Sequence, residues 1–168
     1  MIGAVFGLAF VLLNTESLPS EISLLLRALA VIAFVAVLGA VWRVVPSQPR
    51  GDFTRGYWLV VAAEVVAIAL GLAVLNGRLH APQAAVTWVS LVVGVHFLAL
   101  AVVWKLAFFH WLGAAIALCG AVGLVLAATA TAISPVEVVG GVVPGALLLG
   151  FGIWGSTRGA GRPRRFST

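Results

Sequence analysis

The chain has 168 residues, of which 62% are hydrophobic and only 9% are charged. A water-soluble domain carries about 25% charged residues, so too few polar side chains are present to cover a water-facing surface, and we expect lipid to be the main solvent. The net charge of +5 does not indicate a nucleic-acid partner, because the basic residues lie in short loops and near the C-terminus. With one cysteine and no metal-ligand spacing, we expect no disulfide within the chain, no metal and no cofactor.

Six apolar segments follow one another, at residues 1–18, 22–45, 57–75, 85–104, 110–132 and 137–154. About 20 apolar residues at a rise of ~1.5 Å each cross a hydrocarbon core of ~30 Å. The segments are continuous apolar runs rather than alternating ones, which favours helices over the strands of a β-barrel. The sequence therefore predicts an all-α, polytopic transmembrane helix bundle at 1–156 and a basic tail at 157–168.

The first segment is the weakest of the six. No Lys or Arg precedes it and no small-x-small cleavage site follows it, so we interpret it as a retained membrane segment rather than a signal peptide. We expect it to continue toward Leu18 and to end before Pro19. Without this segment the bundle would have five spans, and only the N-terminus would lie outside.

The basic residues are distributed unequally between the two sides of the predicted bundle. One side carries only Arg78, together with Glu16, Glu21 and Glu137. The other side carries Arg43, Arg50, Arg55, Lys105, Arg158, Arg162, Arg164 and Arg165. Because cytoplasmic loops are enriched in Lys and Arg, six spans would place both termini in the cytoplasm.

The order of motifs suggests an internal duplication. Segments one and four align Gly3 with Gly94 and Phe6 with Phe97, and segments three and six each contain Glu-Val-Val, at Glu64 and at Glu137. Two units of three spans would be inverted relative to each other, as in many secondary transporters. Apolar segments also align by chance, so both interpretations stay open.

Glu64 and His96 are the ionisable residues closest to the predicted midplane. Burial disfavours the charged form of a carboxyl and of an imidazole unless the two groups pair. Paired, they could hold one exchangeable proton, as in a relay or coupling site. Separately, each would be a neutral side chain bonded to a neighbouring helix. Tyr57 shares a helix face with Glu64, and we expect that face to point into the bundle.

Arg27 lies about five residues inside the second segment. It keeps its charge in a protein, so it needs an anion or water. It would either extend to the outer headgroups or find a partner inside the bundle, for which Glu64, Glu137 and an anionic solute are candidates.

The sixth segment contains a glycine- and proline-rich stretch, with Gly140, Gly141, Pro144 and Gly145. Such residues loosen a helix or remove a backbone donor. The stretch predicts a kink or break, which would either line a cavity, as in transporters, or allow close helix packing.

Several short motifs carry a resemblance to known sequences. They are FGLAFVLLN at 6–14, Leu18-Pro19, LLLR at 24–27 and GVHFLALA at 94–101. With them the chain resembles a group of small multi-span bacterial membrane proteins of the actinobacterial and bacillus type. The resemblance implies a bacterial plasma membrane, about six spans and no particular reaction. It also implies that Arg27 and His96 belong to recurrent motifs, whereas Ala99 replaces a proline common in the group.

Three functions remain open from the sequence. The first is a small transporter-like or solute-binding protein, with Glu64 as the protonatable group, His96 as its partner and Arg27 as the anion contact. The second is a structural or accessory subunit of a larger membrane complex. The third is a membrane-embedded lipid-processing enzyme. Expected partners are membrane lipids, a proton or small solute, and another membrane protein or a second copy of the chain.

Overall fold

The computed structural model describes residues 2–43, 54–129 and 132–160, and these form helices. The helices are α1 (Ile2–Leu13), α2 (Ser20–Arg43), α3 (Arg55–Gly77), α4 (Ala85–Trp104), α5 (Ala107–Thr129), α6 (Ser134–Glu137) and α7 (Val143–Ala160). A 3-10 turn at Pro82–Ala84 leads into α4, and a π-helical segment at Val138–Val142 joins α6 to α7. No strand occurs in these ranges, which confirms the predicted all-α bundle.

Five helical stretches are long and apolar enough to cross a membrane. They are Ser20–Trp42, Arg55–Gly77, Pro82–Trp104, Ala107–Thr129 and Ser134–Gly155. By length and composition they fit a multi-pass integral membrane protein. The bounds of these helices lie within three residues of the predicted segments, except that α7 continues to Ala160.

Helix α1 corresponds to the first of the six predicted segments, and it is too short to span a membrane. It has 12 residues, which corresponds to roughly 18 Å against a hydrocarbon core of ~30 Å. The expected continuation toward Leu18 does not occur, because the helix ends at Leu13 and the chain turns before Pro19. The side-chain amide of Asn14 donates a hydrogen bond to the carbonyl of Phe10, 2.7 Å away, at this helix end. The described residues thus contain five helical stretches that are long and apolar enough to span a membrane, and α1 is shorter than these.

The packing order places α2 and α3 at opposite edges of the bundle. Helix α2 packs on α1 and α7, α1 packs on α7, α7 packs on α5, and α5 packs most extensively on α4. Helix α3 packs on α4 and on the 3-10 turn before it. None of the residues in the most apolar window of α3 is buried, whereas 39% of the corresponding window of α4 is buried. Helix α3 is therefore the least embedded span.

Two apolar cores lie on either side of α7. Leu149 belongs to a core with residues of α1 and α2, and Leu148 belongs to a core with residues of α4 and α5. Small residues bring α4 and α5 close together, since a Cβ at Gly94 would lie 2.2 Å from the backbone nitrogen of Ala117. Such contacts are typical of helix packing in membranes, where backbones approach each other at Gly and Ala.

The proposed duplication finds little support in the packing. In a repeat, α1, α2 and α3 would correspond to α4, α5 and α7. The α1–α2 contact then matches the α4–α5 contact, and the α1–α7 contact matches the α4–α3 contact. However, α2 packs on α7 while α5 and α3 share no comparable contact among the described residues. The aligned glycines also differ, because Gly3 faces Leu148 of α7 whereas Gly94 faces Ala117 of α5. The duplication stays a prediction.

Part of the predicted charge asymmetry lies outside the described residues. Arg50 belongs to the segment between α2 and α3, and Arg162, Arg164 and Arg165 belong to the basic tail. Lys105 lies between α4 and α5, at the end of the bundle opposite Arg78. We call the end of the bundle where α1 connects to α2 and α3 connects to α4, at residues 14–20 and 78–84, the first-loop end. The opposite end of the bundle, where Lys105 lies, is called the second-loop end.

Candidate functional site

The structure brings Glu64 of α3 and His96 of α4 into contact. An oxygen of the Glu64 carboxyl lies 3.0 Å from Nδ1 of His96, and the side chains keep 19% and 12% of their exposure. Nδ1 is buried and does not meet hydrogen-bond geometry with any described partner. The distance puts the two groups within ion-pair range, and the contact is an ion pair when the imidazole carries a proton.

Helix α3 docks on α4 at three levels, and the Glu64–His96 pair is the middle one. Toward the second-loop end, Tyr57 stacks on Trp104, with ring centroids 5.8 Å apart and planes 12° from parallel. Toward the first-loop end, Nε1 of Trp88 donates a hydrogen bond to the carbonyl oxygen of Ala67, 3.1 Å away. The predicted inward face of α3, which includes Tyr57 and Glu64, is confirmed, and it faces α4 specifically.

Gly71 makes room for the Trp88 contact. A Cβ at Gly71 would lie 1.9 Å from Nε1 of Trp88, so the indole occupies a notch that any larger residue would fill. Trp88 is not among the residues that the sequence predicts for this site. Trp88 lies eight residues, or about two helical turns, before His96 on α4. This spacing could have indicated that both side chains lie on one face of the helix.

Aromatic rings cover the pair on the side of the second-loop end. His96 meets Phe97 edge to face at 5.7 Å, and Phe97 stacks on Phe109 of α5 at 5.7 Å. Phe109 in turn contacts Trp104 at 5.5 Å, and Trp104 stacks on Tyr57. These rings form an apolar cluster beside His96 at this end.

Few other charged groups lie on the elements packed against the pair. Helix α3 also carries Arg55 and Tyr57, α5 carries His110 and Cys119, and α6 carries Glu137. Glu64 and His96 form the only pair at ion-pair distance within the described ranges. The pair is thus an isolated acid–base couple, and each group is the main electrostatic neighbour of the other.

Arg27 does not join this site. Its Nε donates a hydrogen bond to Oγ1 of Thr15, 2.8 Å away, at the first-loop end between α1 and α2. Neither of the carboxylates that we considered as partners, Glu64 and Glu137, lies at ion-pair distance from it. Glu137 instead accepts a hydrogen bond from the backbone nitrogen of Ser17 at 3.3 Å. Helix α2 packs on α1 and α7 rather than on α3 or α4, which separates Arg27 from the pair.

The glycine- and proline-rich stretch forms a π-helical segment rather than a break. The helix widens at Val138–Val142 and returns to α-helical geometry at Val143, before Pro144. The carbonyl that becomes available at Gly140 accepts a short hydrogen bond from the hydroxyl of the buried Ser90 on α4. Pro144, four residues after Gly140, has no backbone N–H to donate to this carbonyl, and the hydroxyl of Ser90 on α4 donates in its place.

The glycines of this stretch serve close packing. A Cβ at Gly145 would lie 2.7 Å from the carbonyl oxygen of Gly7 on α1, and a Cβ at Gly140 would lie 2.3 Å from the Thr87 side chain on α4. Of this stretch, Val142 and Val143 line an open apolar groove of about 900 Å³ between α5 and α7. That groove does not include Glu64, His96 or Arg27.

No group of three or more potential metal ligands occurs within the described parts of the chain. Comparison of the chain with models of protein families, with curated protein sequences and with solved structures finds no match. The fold and the site therefore define the class of protein: a multi-pass integral membrane protein with an acid–base pair between two of its spans.

Proposed function

We propose that this protein is a small transporter-like or solute-binding membrane protein whose Glu64–His96 pair holds an exchangeable proton. The observation that carries the proposal is the 3.0 Å contact between the Glu64 carboxyl and Nδ1 of His96 in the middle of two apolar spans. Ionisable residues inside membrane segments are costly, and they commonly mark proton relays or ion pathways.

The pair is electrically neutral when it holds one proton. The proton resides on the imidazole, facing a carboxylate, or on the carboxyl, facing a neutral imidazole. Losing it leaves one negative charge and gaining a second leaves one positive charge, and both are unfavourable in a medium of low dielectric. Net proton exchange therefore requires water to reach the pair.

Helix α3 is the element best suited to open the pair to water. It packs on a single long helix, α4, and its most apolar window is not buried. When the pair changes its protonation state, the middle of the three contacts between α3 and α4 weakens. The Tyr57–Trp104 stack and the Trp88–Ala67 bond then act as the outer contacts about which α3 moves.

The resemblance to small multi-span bacterial membrane proteins leads us to place the protein in a bacterial plasma membrane. The distribution of Lys and Arg supports a cytoplasmic second-loop end and C-terminus. With this orientation the Arg27 end faces outward, and the aromatic rings beside His96 lie on the cytoplasmic side of the pair.

The proposal is tested by following the proton directly. Infrared difference spectroscopy of the reconstituted protein, across a pH titration, is expected to show a protonated-carboxyl band that disappears in Glu64→Gln and shifts in His96→Gln. Proton flux into vesicles under an imposed pH gradient, followed with an entrapped pH-sensitive dye, is expected to fall in both variants. Glu21→Gln is the matched control, because Glu21 is an exposed carboxyl at the start of α2.

Two results would contradict this function. Identical difference spectra for the wild type and Glu64→Gln would show that the pair does not exchange a proton in this range. Equal, pH-independent flux in the wild type and in Glu64→Gln would remove the coupling of the proton to transport.

A structural or accessory subunit is the second candidate function. It is favoured by the outward face of α3, where large apolar residues such as Leu59, Val65 and Leu70 are 61–70% exposed. In this role α3 would dock on another membrane protein, and the pair would only hold α3 on α4. Proton flux would then be the same in the wild type and in Glu64→Gln, while release of α3 would weaken the complex.

A further inference from the structure

A second polar site lies at the first-loop end, away from the Glu64–His96 pair. An open cavity of about 560 Å³ is lined by Glu16, Leu18, Ser20, Ser23, Leu24 and Arg27. Its volume falls within the range of about 300–1,000 Å³ typical of ligand sites. The four residues from α2 lie at positions i, i+3, i+4 and i+7, so they share one face of its first two turns.

Arg27 presents most of its hydrogen-bonding capacity to this cavity. A guanidinium has five N–H donors in a planar fork, and only the Nε donor is engaged, on Oγ1 of the fully buried Thr15. The bond to Thr15 fixes the guanidinium plane while its terminal nitrogens have no hydrogen-bond partner among the described residues. Such a fork suits a phosphate or carboxylate group.

The surrounding charges argue against a simple anion. Glu16 lines the same cavity and Glu21 follows at the start of α2. Glu137 is held nearby, since it accepts the hydrogen bond from Ser17. Arg27 and Glu16 do not form an ion pair with each other, so the cavity offers one cationic and one anionic partner at the same time.

From the position of Arg27 along α2, we place the cavity at the boundary between lipid headgroups and the hydrocarbon core. Arg27 is seven residues into α2, or roughly 10 Å along the helix axis. Its side chain reaches back to Thr15 in the loop, which brings the guanidinium toward the polar end of the helix. The interfacial layer on each side of a bilayer is about 5–7 Å thick.

We propose that this cavity binds a zwitterion that carries a phosphate and a primary ammonium group, as in the headgroup of phosphatidylethanolamine. Arg27 binds the phosphate through its terminal nitrogens, and Glu16 accepts hydrogen bonds from the ammonium group. Ser20 and Ser23 supply hydroxyls along the same wall. The same chemistry occurs in soluble phosphoethanolamine. The inference does not depend on the proton site.

The test measures lipid binding to the full-length chain by native mass spectrometry in detergent. Phosphatidylethanolamine, phosphatidylglycerol and phosphatidylcholine with identical acyl chains are the probes. We expect the wild type to prefer phosphatidylethanolamine, and Arg27→Gln to bind it about tenfold more weakly or worse, since a charged hydrogen bond is lost. Arg78→Gln is the matched control, because Arg78 is exposed at the same end and does not line the cavity.

Glu16→Gln tests the ammonium contact separately. We expect it to lose the preference for phosphatidylethanolamine over phosphatidylglycerol, whereas Glu21→Gln keeps that preference. Glu16 is exposed, so this variant should fold even if Arg27→Gln perturbs the first loop. Competition with soluble phosphoethanolamine identifies the source: displacement of the lipid indicates a soluble zwitterion, and retention of the lipid indicates a headgroup.

The proposal is overturned if the wild type prefers phosphatidylglycerol, or if Arg27→Gln and Arg78→Gln bind phosphatidylethanolamine equally well. It also fails if Glu16→Gln keeps the selectivity of the wild type.

Discussion

The energy of the Glu64–His96 contact can be measured with a double-mutant cycle. The two variants are Glu64→Leu and His96→Phe, because apolar replacements remove the contact without creating a new hydrogen bond. At 3.0 Å, opposite unit charges attract by about 5.5 kcal/mol at an effective dielectric constant of about 20. The cost of removing the two charges from water offsets part of this attraction. We therefore expect a coupling energy of about 2–3 kcal/mol.

The assay is reversible unfolding in bicelles, with the free energy of unfolding measured for the wild type, both single variants and the double variant. A second cycle, Glu64→Leu with His110→Phe, is the control. His110 is exposed near the start of α5, so its cycle should be additive within about 0.5 kcal/mol.

The size of the coupling energy decides the state of the pair. Neutral hydrogen bonds between membrane helices contribute about 0.6 kcal/mol on average. A value at or below that average would refute the charged interaction, and it would leave the neutral form of the pair, with the proton on the carboxyl, and the fold unaffected.

Two further predictions concern the contacts around the pair. Gly71→Val should displace the indole of Trp88, because a Cβ at Gly71 would lie 1.9 Å from its Nε1, and we expect a loss of about 1–3 kcal/mol in stability with a shift in tryptophan fluorescence. Gly39→Ala, where no atom lies within 4 Å of the added Cβ, is the control, and equal effects of both would contradict the docking of α3. Ser90→Ala should leave the carbonyl of Gly140 without its partner, at about 1–2 kcal/mol. Hydrogen exchange in the π-helical segment should rise, and unchanged exchange would count against this role.

The sequence predicted the residues of the pair but not their surroundings. Glu64 and His96 stood out because an ionisable group in an apolar span needs a partner. Such a group can be recognised from the sequence alone. Trp88 and Ser90 did not stand out, because a tryptophan near a helix end and a serine in a helix are common. Their roles depend on Gly71 and on Gly140, which lie 17 and 50 positions away along the chain.

The Arg27 site shows where reasoning from one sequence stops. Its charge and depth indicated a need for an anion, water or the headgroup region, and three partners were considered. The structure supplies Thr15, a residue of the first loop. Where a kink or break was predicted at Gly140–Gly145, the structure has a π-helical segment at Val138–Val142. A hydroxyl of α4 donates to the Gly140 carbonyl, to which Pro144 has no N–H to donate.

The sequence by itself determined that lipid is the main solvent of this chain, that its spans are helices and that the ionisable groups inside those spans need a partner. Those properties follow from local hydrophobicity and from the cost of placing charge or unpaired backbone groups in hydrocarbon. Tertiary structure decided which helices are neighbours. Helices α2 to α5 are apolar over most of their surface, so their sequences give little indication of which side meets which neighbour. Glycine notches and single polar contacts between distant segments therefore select the arrangement.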